Sequence, residues 1–215
     1  MTENVKIFVE HLERGVSDWL VAEYENVVKI AERYGIKATI TNVRWEDHLC
    51  RLSNLKNVVE KSVKAILREN LWRRPRVIIL DPASREVLSP SDFSSPETWL
   101  IFGGILGDHP PRGRTRFLLT AKLLELDRRL VVSRNLGPFQ FPIDGSVYMS
   151  VEVMRGRGVE EIPVKVGLEL ELERVGSYVS TVFLPYAYPI VGGKPLISEK
   201  VLDLLCEEMP LSDEL

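Results

Sequence analysis

An α/β fold, with a mostly parallel sheet and helices on both faces, is predicted by three observations. Apolar runs of strand length alternate with segments of helical periodicity through about residue 155. Gly35, Asp81-Pro82, Gly103-Gly104 and Gly137 punctuate them as turn residues do. After Gly158 the hydrophobic period changes to two, which marks an antiparallel hairpin added to that core.

The elements follow in order. Residues 5–9 read as a buried strand, and Ser17 is a suitable N-cap for the helix behind it. Leu20, Val21, Tyr24, Val27, Val28 and Ala31 recur at helical spacing, and Gly35 ends the segment. A strand over 36–43 is followed by an amphipathic helix over 56–71, which carries Val59, Val63, Ile66 and Leu67. The apolar run 76–80 closes on Asp81-Pro82. Residues 83–97, rich in Ser, Pro and Asp, read as a surface loop with room for one helical turn. A strand over 98–102, a helix over 115–126, a strand over 130–133 and a helix over 144–154 complete the core. Val164, Val166, Leu168, Leu170 and Leu172 then alternate strictly with Lys165, Gly167, Glu169, Glu171 and Glu173. A turn at Gly176-Ser177 leads to a partner strand over 178–184, and a last helix covers 198–207. The organisation expected is a core over 1–155, a hairpin appendage over 156–190 and a C-terminal helix within 191–215 that returns to the core.

The composition is that of a globular protein: 215 residues, 45% hydrophobic and 27% charged. Basic residues number 28 and acidic ones 31, a net charge of −3, which is not the basic excess of a protein that grips nucleic acid by charge alone. Cys50 and Cys206 lie far apart and form no metal-ligand spacing, so they read as reduced thiols and no metal is expected. The opening residues lack the charged and apolar regions of a signal peptide, and no run is long enough to span a bilayer. A cytoplasmic protein with no membrane or DNA partner is expected.

The most informative stretch is Phe102 to Thr115, FGGILGDHPPRGRT. It carries Gly103, Gly104 and Gly107, then Asp108, His109, two prolines, Arg112 and Arg114, all at the end of a buried strand. Glycines there let backbone amides approach a ligand, and the prolines hold the following chain rigid. In an open α/β sheet, ligands bind beyond the carboxyl ends of the strands. Three loops sit at such ends: 103–114, 134–137 and 139–146.

This stretch closely resembles the signature of the SPOUT methyltransferases, in the branch that methylates an arginine of a ribosomal protein. FVEHLERGVSDWLVAEY at 8–24, LVVSRNLGPFQFPIDGSVYMS at 130–150 and GGKPLISEKVLDLL near the C-terminus resemble further family segments. The resemblance implies a C-terminal trefoil knot, S-adenosylmethionine as cofactor, and either a monomer or a knot-mediated homodimer. It also implies that Gly103, Gly104, Gly107, Arg134, Leu136, Gly137, Gln140, Phe141, Ile143, Asp144 and Ser146 bind the cofactor, although Asp144 equally suits a helix cap. The family's third loop usually reads Gln-Met-Thr-x-Asp-Thr-Ala. Here it is Gln140-Phe141-Pro142-Ile143-Asp144-Gly145-Ser146, without either threonine hydroxyl.

A guanidinium acceptor stays charged at neutral pH, so carboxylates are needed to hold it. Glu10 and Asp108 are the expected catalytic residues. His11, Glu13, Trp19, Glu23, Arg112 and Arg114 are the expected substrate contacts. The expected partner is a basic ribosomal protein or the ribosomal subunit. In an RNA-directed alternative, Arg112, Arg114, Arg116 and Arg134 would meet phosphates while Trp19 or Phe139 stacks a base. A non-catalytic SPOUT-fold binding protein is the third reading. Glu169, Glu171 and Glu173 read as a solvated strand face or a guide for a basic partner.

Overall fold

The computed structural model describes residues 4–175 and 178–208. The expected turn at Gly176-Ser177 and the side chain of Glu173 lie outside the described residues. The chain runs through β1 (Val5–His11), α1 (Asp18–Arg33), β2 (Lys37–Thr41), α2 (Glu46–Arg51), α3 (Val63–Asn70), β3 (Arg76–Leu80) and β4 (Thr98–Gly104). A π-helical turn, Arg116–Thr120, then leads into α4 (Ala121–Leu124). β5 (Val131–Arg134), α5 (Ile143–Met154), β6 (Val164–Val175), β7 (Tyr178–Val191), β8 (Lys194–Pro195) and α6 (Glu199–Glu208) follow.

Five strands form a parallel sheet in the order β2-β1-β4-β3-β5. Alternate residues of each strand serve opposite faces, as the period of a strand requires. Ile7, Val9, Leu100, Phe102, Ile78 and Leu80 pack with α1 and α5 on one side. Phe8, Trp99, Ile101, Val77 and Ile79 pack with Val63 and Leu67 of α3 and Leu119 and Leu123 on the other. Strands buried on both faces need near-continuous apolar runs, which is why these were visible in the sequence. α1 begins where Ser17 Oγ accepts from Leu20 N at 3.2 Å.

Several elements differ from expectation. α2 is additional to the expected elements, the helix expected over 115–126 is the π-helical turn and the short α4, and β7 runs on to Val191 rather than ending at 184. Two further departures have a visible cause. The helix expected over 56–71 starts only at Val63, capped by Ser62. The residues before it are recruited by β2, with Ile40 N donating to Asn57 O at 3.0 Å and Val59 N to Ile40 O at 2.9 Å. In β6 the strict alternation fails: Val166 is 52% exposed while Leu168 is 8% exposed. The register explains it, because Val166 pairs with Ala187 and Leu168 with Leu184, leaving an extra residue on β7 around Pro185-Tyr186.

β6, β7 and β8 make a second, antiparallel sheet. Leu168, Leu184 and Tyr188 close over Ala22 of α1 together with Val201 and Leu205 of α6. Backbone bonds tie the chain after β5 to the long loop after β3. Asn135 N donates to Glu86 O at 2.8 Å, and Leu88 N to Asn135 O at 2.9 Å. Among the described residues no helix is long and apolar enough to cross a membrane.

Candidate active site

β3, β4 and β5 lie side by side, so their carboxyl-end loops converge. Two adjoining cavities open there, of about 80 and 420 Å³, and both are lined by Asp81, Pro82, Ile105, Gly107, Thr115, Phe139 and Gln140. The inner one is walled by Leu80, Phe102, Gly103, Arg134, Leu136, Phe141, Ile143 and Ser146. The outer one reaches Asp108, Arg112, Arg114 and Gly137. Of the residues expected at a cofactor, only Gly104 and Asp144 line neither.

Gly104 is corrected to a packing role. A Cβ there would stand 2.2 Å from the Tyr24 hydroxyl and 2.9 Å from Glu10 O, so the missing side chain makes room for Tyr24 rather than for a ligand. Gly107 borders the cavities, and a Cβ there would meet the Tyr186 ring at 2.6 Å and Gln140 Nε2 at 2.8 Å, so its missing side chain makes room for those two residues.

Glu10, expected to act on the substrate, is also corrected. It is buried, accepts from Thr41 Oγ1 at 2.5 Å and from Val63 N at 2.8 Å, and lines none of the cavities around the signature loop. Strand alternation aims it toward β2 and α3, where it caps the start of α3. Burial raises its pKa despite those bonds. His11 is likewise turned inside. Its Nδ1 lies 3.0 Å from the Tyr24 hydroxyl and its ring packs edge-on against His48, so it touches no substrate cavity. Burial, then His48, lowers its pKa to about 4, which keeps it neutral.

Asp108 lines the outer cavity but is already paired. Arg114 Nε donates to it at 2.7 Å, Arg114 Nη1 donates to Glu13 at 2.9 Å, and Glu13 accepts from Leu106 N at 3.0 Å. These bonds clamp the signature loop onto the chain after β1. Arg134 is similarly occupied, with Nε bonded to Asp92 at 2.9 Å and Nη1 to Glu86 at 2.5 Å. Arg112 is exposed at the rim of the outer cavity.

Trp19 and Glu23 sit elsewhere. Together with Asp144 they line a third cavity of about 270 Å³, separated from the inner cleft by Gly107 and Phe141, which border both. Trp19 Nε1 donates to Glu23 Oε1 at 2.8 Å and Ile143 N to Glu23 Oε2 at 3.0 Å. Asn26 Nδ2 donates to Asp144 Oδ2 at 2.7 Å. Burial raises both carboxyl groups above their ordinary range, and Asp144 raises Glu23 further.

Several lining residues escaped the sequence reading. Asp81 is 1% exposed and its Oδ2 has no hydrogen-bond donor, since Arg116 Nε stands 3.6 Å away. Its place at a strand end was a usable signal. Tyr186 and Tyr188 gave none, because only the β7 bulge and tertiary packing bring them here.

A buried, unsatisfied carboxylate oxygen beside a slot of mixed polar and apolar lining suits a nucleoside: hydroxyls for Asp81, a base against Leu136 and Ile143. The family described as protein arginine N-methyltransferase SFM1-like matches residues 6–212. The chain is 30% identical over 210 residues to protein arginine N-methyltransferase SFM1 of Saccharomyces cerevisiae, covering 94% of each. The crystal structure of the yeast arginine methyltransferase SFM1 complexed with SAM has a TM-score of 0.77 at 28% identity, covering 95% of this chain and 91% of that one. The same enzyme complexed with SAH gives 0.75 at 29%, covering 93% and 94%. Trm10 from Thermococcus kodakaraensis, at 18% identity and a TM-score of 0.54 over 73% of this chain and 96% of its own, shares the fold.

Proposed function

The chain belongs to the SFM1-like protein arginine N-methyltransferase family, and on that premise we propose that it methylates an arginine side chain of a protein, with S-adenosylmethionine as cofactor. The observation that carries the proposal is the inner cleft. Gly103 and Gly107, the unsatisfied Asp81 oxygen and the Leu136–Ile143 wall meet at the carboxyl ends of adjacent parallel strands. When bound, the cofactor supplies an electrophilic methyl group on a sulfonium.

The protein supplies alignment and exclusion of water. Asp81 would accept from the ribose hydroxyls. Leu80, Phe102, Leu136, Phe141 and Ile143 would enclose the base, and Ser146 would stand in for one of the two absent threonine hydroxyls. The Arg114 clamp through Asp108 and Glu13 holds residues 106–108 in place, so Asp108 is a positioning residue.

A protein acceptor is favoured over RNA by the state of the arginines. Arg114 and Arg134 are engaged by carboxylates, and Arg116 lies near Asp81, which leaves little free positive charge for phosphates around the cleft. A basic protein of the small ribosomal subunit, met in the cytoplasm, is the proposed partner. Incubating the protein with cell extract and radiolabelled S-adenosylmethionine should yield label that protease removes and ribonuclease does not, recoverable as methylarginine after hydrolysis. Label removed by ribonuclease would assign the enzyme to RNA instead.

A further inference from the structure

The third cavity contains two carboxylates without a countercharge. Glu23 and Asp144 are 6% and 3% exposed, and among the described residues neither has a basic side chain within ion-pair distance. On the other side of Gly107, by contrast, Glu13, Asp108 and Asp92 are each paired with an arginine. Burying a carboxylate without a partner is costly, and a second carboxylate nearby adds repulsion. The fold nonetheless holds both in place. The indole of Trp19 and the first amide of α5 fix Glu23, and Asn26 with the amide of Gly145 fixes Asp144. Their surroundings are aromatic, with Trp19, Phe141, Tyr186 and Tyr188 lining the same space. A planar delocalised cation satisfies every part of such a site, because it stacks on aromatic faces and donates to two carboxylates at once.

We propose that this cavity, walled by Trp19, Tyr186 and Tyr188 and floored by Glu23 and Asp144, seats the guanidinium of the acceptor arginine. The inference rests on the arginine methyltransferase reading and names the subsite that this reading lacks. The position is apt, since only Gly107 and Phe141 separate the cavity from the inner cleft. A lysine ammonium would fit less well: it can donate to both carboxylates but has no planar face to stack on the rings. Because burial keeps a proton on the carboxyl pair to higher pH than an ordinary carboxylate would, entry of a cation should expel that proton.

The test titrates the protein, free of cofactor, with N-acetyl-L-arginine methylamide and follows the indole N–H resonance of Trp19, assigned by its loss in Trp19→Phe. A saturating shift is expected, with a much smaller one from the lysine analogue. Calorimetry in two buffers of different ionisation enthalpy should show proton release on binding. Asp144→Asn, which keeps the Asn26 and Gly145 bonds if the Asn26 amide turns over, should weaken the arginine probe about tenfold and reduce proton release. Glu23→Gln, which removes the carboxyl raised most by burial, should abolish that release. Unchanged affinity of Asp144→Asn for S-adenosylhomocysteine is the control for folding. No saturable shift at Trp19, equal response to the lysine analogue, or wild-type binding in both Asp144→Asn and Glu23→Gln would overturn the proposal. Failure of the wild-type protein to bind S-adenosylhomocysteine would instead count against the methyl-transfer reading, because the probe titration does not depend on it.

Discussion

Tyr24 shows how much of the site's support lies out of reach of any ligand. It is fully buried on α1, and its hydroxyl lies 3.0 Å from His11 Nδ1 and 3.5 Å from Gly104 O. Burial raises its pKa well beyond the ordinary range, so it stays a neutral donor. Gly104 must be glycine to admit it. Gly104→Ala should therefore destabilise the protein by about 1–3 kcal/mol, the usual cost of overpacking a rigid site, as read from urea denaturation. The fraction that folds should bind S-adenosylhomocysteine normally. Gly107→Ala should show the reverse balance, because its Cβ would push on the Tyr186 ring and Gln140, whose side chains can move but which also line the cavities. A Gly104→Ala variant with unaltered stability would disprove this division of roles.

At the scale of elements, the decisive feature is the irregularity in β7. The extra residue near Pro185 shifts the pairing and delivers Pro185 and Tyr186 to the cavity beside the signature loop. The Tyr186 hydroxyl donates to Gly107 O at 2.7 Å, so the hairpin straps down the loop that borders the cleft. Tyr186→Phe removes that bond and little else. The expected loss is about 1 kcal/mol of loop restraint, seen as a severalfold weaker affinity for S-adenosylhomocysteine with the melting temperature nearly unchanged. An affinity equal to wild type would mean that the strap does not matter to the cleft.

Across the whole molecule, buried and paired carboxylates oppose each other in pH dependence. Glu10, Glu23 and Asp144 have pKa values raised by burial. The stability they contribute is complete below their unfolded pKa and is lost as pH rises through the folded one. Glu97 behaves oppositely. Burial disfavours its charge, but bonds from Lys6, Trp99 and Arg73 outweigh this and lower its pKa to about 2. Glu152 shifts the same way under Arg157, Arg155 and Tyr34. Their contribution is present above the unfolded value of 4.5 and disappears as pH falls. The unfolding free energy should therefore peak on the acid side of neutrality, near about pH 5. Urea midpoints measured from pH 3 to 9 check this, and a midpoint that climbs steadily up to pH 8 would contradict it.

The sequence by itself determined the parallel core, because strands buried on both faces must be continuously apolar and the helices that cover them must be amphipathic. It also pointed to the candidate cleft, since Gly103 and Gly107 line it and the family signature spans that same stretch, although Gly104 between them serves packing. Tertiary structure decided what the polar residues do. Glu10 and Asp108 look alike in the sequence, yet strand alternation turns one into the interior and Arg114 engages the other. Glu23 and Asp144 are 121 positions apart and meet only because α1 packs against α5. Local pattern reports whether a residue faces a core. Whether a carboxylate there finds a hydrogen bond, a cation or an empty cavity depends on neighbours that are distant in the chain.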